Sequence, residues 1–463
     1  MSEISQTIFT NRSRESAYKR SDNAEEFYSD KSRIVFCSSF RRLMHKAQVF
    51  SLETNTYVRN RLTHSLEVAD VGRSLARNIG KKLIANGKID ANEIEIIQTI
   101  VESACLLHDI GNPPFGHFGE EAIKKWFSTK AQRYFSSSKG ELEFDDGILL
   151  KDFTNFDGNP QGFRIVTKLH SRTDKNSLNL TYSTLLSSIK YPYYDGLKSE
   201  CKFCKKIGIF STEKNEYEKI CETTKWKPGQ RYYLAYIMEL ADDICYCLSD
   251  ISDGFEKKII ASREFKEEFV KIYKENYGIE SDLEIPKDKP IEDFNREIAV
   301  PVSKRIIEEA STYFVDKIEN FINGTADEMI SILSIGRTFD ALKMYARKFI
   351  YTSDEAQRIE IAGYAVVTGL LEHYGLLLKM KRDDFQYFIE RDEIKKKSNL
   401  DLEWRIYKQL SRRMIACYRN TVNDKTTDTD EWIVRAHLII DYITGMTDKK
   451  ALEAYQNYMG INL

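Results

Sequence analysis

Apolar positions along this chain recur mostly every three to four residues. Over 61–79, RLTHSLEVADVGRSLARNI, Leu62, Leu66, Ala69, Leu75 and Ile79 fall broadly on one helical face, and Gly80 reads as the stop. Over 93–109, Ile94, Ile97, Ile100, Val101, Ala104, Cys105 and His108 share a side, and Gly111 ends the element. Segment 232–248, YYLAYIMELADDICYCL, is apolar nearly all round, as a helix at the centre of a core would be. Beyond residue 300 the pattern continues in VSKRIIEEASTYFVDKIENFI, EIAGYAVVTGLLEHYGLLLKM and WIVRAHLIIDYI. Strand signals are few. QGFRIVTKLH fits either a strand or a helix, and 136–160, polar and Gly-rich, reads as a loop. With only eight prolines in 463 residues and no repeat or Pro/Ser linker, the pattern predicts an all-α fold.

Composition narrows the class. Apolar residues make up 42% and charged residues 30%, ordinary for a globular enzyme. The 69 basic and 71 acidic side chains leave a net charge of −2, which lends no support to a dominant nucleic-acid-binding role. No run of 18 apolar residues exists, and MSEISQTIFTNRSRES lacks a signal-peptide core, so a cytoplasmic protein with no membrane partner is expected. The eight cysteines are scattered and read as free thiols. Cys201 and Cys204, with Cys221 downstream, lack a fourth neighbouring ligand for structural zinc.

Candidate chemistry concentrates at 104–120, ACLLHDIGNPPFGHFGE, where an apolar helix runs into a His-Asp pair, a Gly-Pro-Pro break and a second histidine. Adjacent helical residues point about 100° apart, so His108 and Asp109 can share an ion only near a helix end or bend. Gly111 and Pro113-Pro114 supply that bend. His64 and Asp242, on other helices, complete a set of metal-ligand type. Asp242 and Asp243 interrupt an apolar helix, and a buried carboxylate there calls for a nearby cation. Mixed imidazole and carboxylate donors suit Mn or Mg, with Fe or Zn as alternatives. Past the break, His117 and Glu120 face the same way if a helix restarts.

The blocks RIVFCSSFRRLMHKAQVF, RLTHSLEVADVGRSLA, LLHDIGNPPFGHFGE, GNPQGFRIV, IMELADDICY and DYITGMTD occur in this order. Together they resemble the bacterial deoxyguanosinetriphosphate triphosphohydrolases of the HD superfamily, relatives of the mammalian SAM-and-HD-domain dNTP triphosphohydrolase. The resemblance spans about residues 15–455. It implies an HD-domain helical core over 1–290 and a helical C-terminal region, 291–463, that packs on the core and completes the nucleotide site and subunit contacts.

It also implies that His64, His108, Asp109 and Asp242 ligate the metal. Asp242 is preferred to Asp243 because Tyr246 and Asp250 follow it at four and eight residues, on one helical face. By the same resemblance Gln48 and Asp250 hold the sugar 3′-hydroxyl, and Arg61, Lys206 and Tyr191 contact phosphate. Asn112 and Asn159 lie near the α-phosphate, and Tyr246 contacts the nucleotide. His117 would donate a proton to the departing 5′-oxygen or otherwise assist in-line attack, with Glu120 fixing its tautomer and raising its pKa. The expected reaction is hydrolysis of a dNTP, dGTP favoured, at the α-phosphorus to deoxynucleoside and tripolyphosphate. Implied partners are a homo-oligomer of four or six copies and, in some members, single-stranded DNA or a nucleotide effector. The alternatives are another HD phosphohydrolase, such as a phosphodiesterase or alarmone hydrolase, and a silent nucleotide-sensing or DNA-binding scaffold.

Overall fold

The computed structural model describes residues 4–18, 20, 22–139, 150–170, 175–197, 202–281, 283, 285, 291, 293–394 and 399–461. Among them there is no strand, only an isolated bridge between Ala47 and Asn60, so the all-α expectation holds. The helices that frame the site are α1 (Asn23–Phe36), α2 (Arg61–Ala85), α3 (Ala91–Leu107), α4 (Gly116–Lys139) and α5 (Gly158–Arg164). They are followed by α6 (Tyr233–Glu256), α7 (Val300–Asp316), α8 (Gly336–Phe349), α9 (Asp354–Gly375), α10 (Asp428–Thr444) and α11 (Asp448–Tyr458).

Local chemistry starts these helices. The Asn60 side chain accepts from Thr63 N while Asn60 N donates to Thr63 Oγ1, a reciprocal cap that fixes where α2 begins, three residues before His64. Asp90 and Glu93 do the same for α3. Ser353, Thr427 and Thr447 cap α9, α10 and α11 through backbone N–H groups.

Several boundaries depart from the periodic reading. Gly80 does not stop α2, which runs on to Ala85; a Cβ at Gly80 would meet Ile94 Cγ1 at 2.8 Å. Close approach to α3 thus outweighs the ~1 kcal/mol that glycine costs in a helix. The ambiguous 161–170 segment is helical, its last residues Ile165–Leu169 widening into a π turn. The stretch read as a loop is helical at 136–139, 151–154 and from 158, and 140–149 lie outside the described residues. Helix 302–322 breaks at Lys317. Six cysteines are free and buried, but Cys204 is disulfide-bonded, which corrects the all-thiol reading; Cys201 lies outside the described residues.

The apolar core forms two clusters. One gathers Ile34, Leu75, Ile100, Ile237, Ile306 and Leu342 from α1, α2, α3, α6, α7 and α8. The other gathers Trp126, Phe135, Leu370, Trp432 and Ile440 from α4, α9 and α10. Between them runs a buried ionic seam: Arg164 pairs with Asp441 at 2.9 Å and with Glu213 at 2.7 Å. Among the described residues one stretch, Asp354–Lys379, is long and apolar enough to cross a membrane by length and composition, yet half of its apolar window is buried against the rest of the chain.

Candidate metal centre and active site

His64 sits inside α2, fully buried. α3 ends at Leu107, and turn bonds from Ile110 N to Leu107 O and from Asn112 N to Asp109 O carry the chain onward. The helix therefore stops where it must for His108 and Asp109 to converge. Gly111 lets this turn press on α5, since a Cβ there would lie 2.0 Å from Gly158 O. One ligand atom each from His64, His108 and Asp109 lies within 4.8 Å of the others. Asp242, from the middle of α6, places Oδ1 3.4 Å from His64 Nε2 and 3.5 Å from His108 Nε2. Its neighbour Asp243 turns away to Lys343, at 3.0 Å.

The donor set fits a divalent cation. His108 Nδ1 lies 2.6 Å from the Cys105 carbonyl, which can only accept, so Nδ1 carries the proton and Nε2 presents a lone pair. That Nε2 is buried without a hydrogen-bond partner and faces carboxylate oxygens of Asp242 and Asp109 at 3.5 and 3.6 Å. Electron-rich atoms turned on one another away from water are costly unless a cation stands between them. Burial pushes the Asp109 carboxyl up, but the Arg61 guanidinium (2.7 Å), His108 and His64 outweigh it and hold it at about 2. Burial likewise works against Asp242, and His108, His64 and Lys190 together hold it far below the carboxylate range.

Beside this cluster opens a cavity of about 460 Å³. His117 is the second residue of α4; its Nδ1 lies 2.9 Å from Glu120 Oε2, and its ring is 75% exposed. Glu120 is buried, and its other oxygen accepts Gly158 N at 2.8 Å. One imidazole nitrogen is thus anchored and the ring still opens onto the cavity. The Glu120 hydrogen bond raises the His117 pKa.

Gln48, Arg61, Asn112, Asn159, Tyr191, Lys206 and Tyr246 all line this cavity. Lys206 Nζ is 3.1 Å from Asp157 and 5.8 Å from the Tyr191 ring centre. Asn159 donates to Asp157 at 2.6 Å, and Asn112 to Asp109. Gln48 Oε1 and Arg61 Nε are buried without partners, as polar atoms kept for a ligand are. Asp250 is not brought to the cavity wall: it is fully buried and accepts the Tyr351 hydroxyl, which does line the cavity. Burial pushes its carboxyl up, against that bond.

Residues the sequence reading missed complete the wall. Lys190 stands 3.6 Å from Asp242 Oδ2 and 3.7 Å from Glu239. Burial disfavours its charge, but Asp242, Glu239 and Asp243 keep it protonated. Lys343, Tyr351 and Glu360 enter from α8, the turn after it, and α9. Nothing in their local pattern marks them; the YP pair after Lys190 was the only punctuation near any of them.

An all-helical fold that gathers imidazoles and carboxylates from separate helices beside a cation-lined cavity defines an HD-type metal centre. The HD domain family model matches residues 61–154, the stretch carrying His64, His108, Asp109, His117 and Glu120. Full-length similarity goes further. A deoxyguanosinetriphosphate triphosphohydrolase of Salmonella typhi is 30% identical over 94% of this chain and 94% of its own length. One of Serratia proteamaculans is 31% identical over 95% and 94%. The chain belongs to the deoxyguanosinetriphosphate triphosphohydrolase family.

Proposed function

We propose that this chain is a metal-dependent dNTP triphosphohydrolase that cleaves at the α-phosphorus, favours dGTP, and releases deoxynucleoside and tripolyphosphate. The observation that carries the reading is a single cavity lined by both the His108, Asp109 and Asp242 donors, with His64 buried behind them, and the His117–Glu120 pair. Family membership supports it independently. Mn²⁺ or Mg²⁺ bound by those four donors would polarise a phosphoryl oxygen and lower the pKa of a water, with Fe or Zn as alternatives.

The chain's own groups do the rest. Arg61, Lys206 and Tyr191 take phosphate oxygens; Lys206, half exposed and bridged to Asp157, can exchange that carboxylate for phosphate. Lys190 and Lys343 add charge of the same sign. Asn112 and Asn159 flank the α-phosphate. His117, protonated and oriented by Glu120, delivers a proton to the leaving 5′-oxygen. Gln48 holds the 3′-hydroxyl, and Asp250 acts there through the Tyr351 hydroxyl it binds. Lys343, Tyr351, Ile359 and Glu360 are the contribution of region 291–463 to a site otherwise built by region 1–290.

The test is incubation of the pure chain with each of the four dNTPs, with and without Mn²⁺ or Mg²⁺, and identification of the products by ³¹P NMR. Tripolyphosphate released fastest from dGTP is expected. Pyrophosphate or a nucleoside monophosphate would assign a different HD hydrolase, and no product from any dNTP would leave a binding scaffold. A homo-oligomer of four or six copies belongs to the same reading and is checked by light scattering. A response to single-stranded DNA or to nucleotide at a second site is checked by adding each to the assay.

A further inference from the structure

The block DYITGMTD at 441–448 takes no part in the chemistry above, yet it is bonded to three segments of the cavity wall. Asp441 accepts from Gln161 and Arg164 of α5 at 2.9 Å each. The Thr444 carbonyl accepts Lys46 Nζ at 2.7 Å, and that amine also donates to Asn112 O. Asp448, 3% exposed, divides its two oxygens between separate stretches: Oδ2 accepts Ala47 N at 2.9 Å and Oδ1 accepts Phe115 N at 3.0 Å. Both donors line the cavity; one immediately precedes Gln48 and the other lies two residues before His117.

Phe115 is the informative partner. It and Gly116 are both left-handed, at φ 60° and 55°. A glycine takes that conformation freely, but a phenylalanine resists it and holds it only when its surroundings insist. The surroundings here come from the C-terminal helices. Asp448 fixes the Phe115 amide, and the Phe115 ring fills a notch over Gly363 of α9, where a Cβ would fall 2.5 Å from the ring. These two left-handed residues turn the chain from Pro113-Pro114 into the first turn of α4, which carries His117 and Glu120.

We propose that Asp448 is a positioning residue for His117: by accepting the Phe115 N–H it locks the left-handed turn that sets the imidazole against Glu120 and over the cavity. The inference rests on the proton-donor role given to His117. The test is a double-mutant cycle on the full chain with dGTP and Mn²⁺. Asp448→Asn keeps size but puts an amide N–H₂ where one backbone N–H needs an acceptor, and kcat should fall about 10- to 100-fold, the scale of a sub-ångström to 1 Å misplacement. In a His117→Ala background the same substitution should change the residual kcat less than about threefold. Gly363→Ala, which pushes the Phe115 ring from the other side, should show the same loss and the same dependence on His117, and serves if Asp448→Asn fails to fold.

An equal loss in both backgrounds, or no loss in either single variant, would overturn the proposal. If wild type releases no tripolyphosphate, the functional reading fails by itself, and a readout without turnover still decides this inference. In NMR titration of ¹³C-labelled histidines, His117 should titrate at lower pH in Asp448→Asn than in wild type. Identical His117 titrations would reject the role.

Discussion

Replacing Glu120 with glutamine isolates the charge that orients the proposed proton donor. Glu120 is buried, with Oε1 on Gly158 N at 2.8 Å and Oε2 on His117 Nδ1 at 2.9 Å. A glutamine can keep the Gly158 bond through its carbonyl, so the fold should persist and only the anion be lost. Hydrogen bonds to charged groups contribute about 1.5–3 kcal/mol. The His117 ring is 75% exposed, so water screens part of that, and we take the lower end, ~1.5 kcal/mol, as the contribution of the anion. The sign follows from the direction of the shift. Glu120 raises His117 above its usual 6.5, so the acid form survives to higher pH and activity falls only as pH climbs through the raised value. In Glu120→Gln that alkaline limb should move toward acid. The assay is kcat for tripolyphosphate release from dGTP at saturating Mn²⁺ between pH 6 and 10, with melting temperatures as a check on folding. A limb that coincides with wild type, in a variant that melts normally, would refute the pairing of these two residues in catalysis.

Saturating Mn²⁺ at a hundredfold over its Kd should stabilise the native state by about 2.7 kcal/mol, read as a rise in Tm that EDTA reverses; Asp242→Asn and His108→Ala should each abolish the rise. Arg164→Met strips the buried Asp441 of its charged partner, leaving it the Gln161 amide, and leaves Glu213 to Lys168, and should cost about 3–5 kcal/mol in urea unfolding. Glu213 gives that seam a pH signature. Burial raises its carboxyl, but Lys168 and Arg164 hold it at about 2 against 4.5 unfolded. Its contribution is therefore complete above pH 4.5 and lost as pH falls toward 2, and Arg164→Met should flatten that acid loss. Tyr351→Phe leaves Asp250 buried without its hydroxyl donor and should cost about 1–3 kcal/mol, measured by the urea midpoint.

Turn chemistry made the centre of the site legible in the sequence. His108 and Asp109 needed a helix end, and Gly111 with two prolines announced one; the His117–Glu120 spacing needed a helix restart, and one occurs. Asp242 could be separated from Asp243 by which residues share its face, and the imidazoles lie on the Asp242 side. Pattern failed where the partner is remote. Lys190, Lys343 and Tyr351 have unremarkable neighbours in sequence and matter only because folding brings them to one cavity. The resemblance implies Asp250 at the sugar and helical spacing puts it on the Asp242 face, but neither registers the Tyr351 hydroxyl that it binds. The overrun at Gly80 has the same root, since a local stop signal of ~1 kcal/mol loses to close helix packing.

The two halves of the proposed chemistry are anchored in different cores. His64, His108 and Asp242 hang on helices whose apolar faces build the first cluster. His117 and Glu120 begin α4, whose Ile123, Trp126, Phe127 and Phe135 belong to the second. The distance from donor set to proton donor is therefore set by whatever clamps one core to the other. Those clamps are polar and buried: Arg164 on Asp441, Lys46 on Thr444 O, Asp448 on Ala47 N. Apolar contact alone would tolerate sliding by fractions of an ångström, because dispersion is non-directional and many registers bury similar area. Charge-assisted hydrogen bonds do not tolerate it, because their strength falls steeply with length and angle. Burying so many charged groups in the seam contributes little net stability. What it secures is register, and register is what a reaction divided between two cores requires.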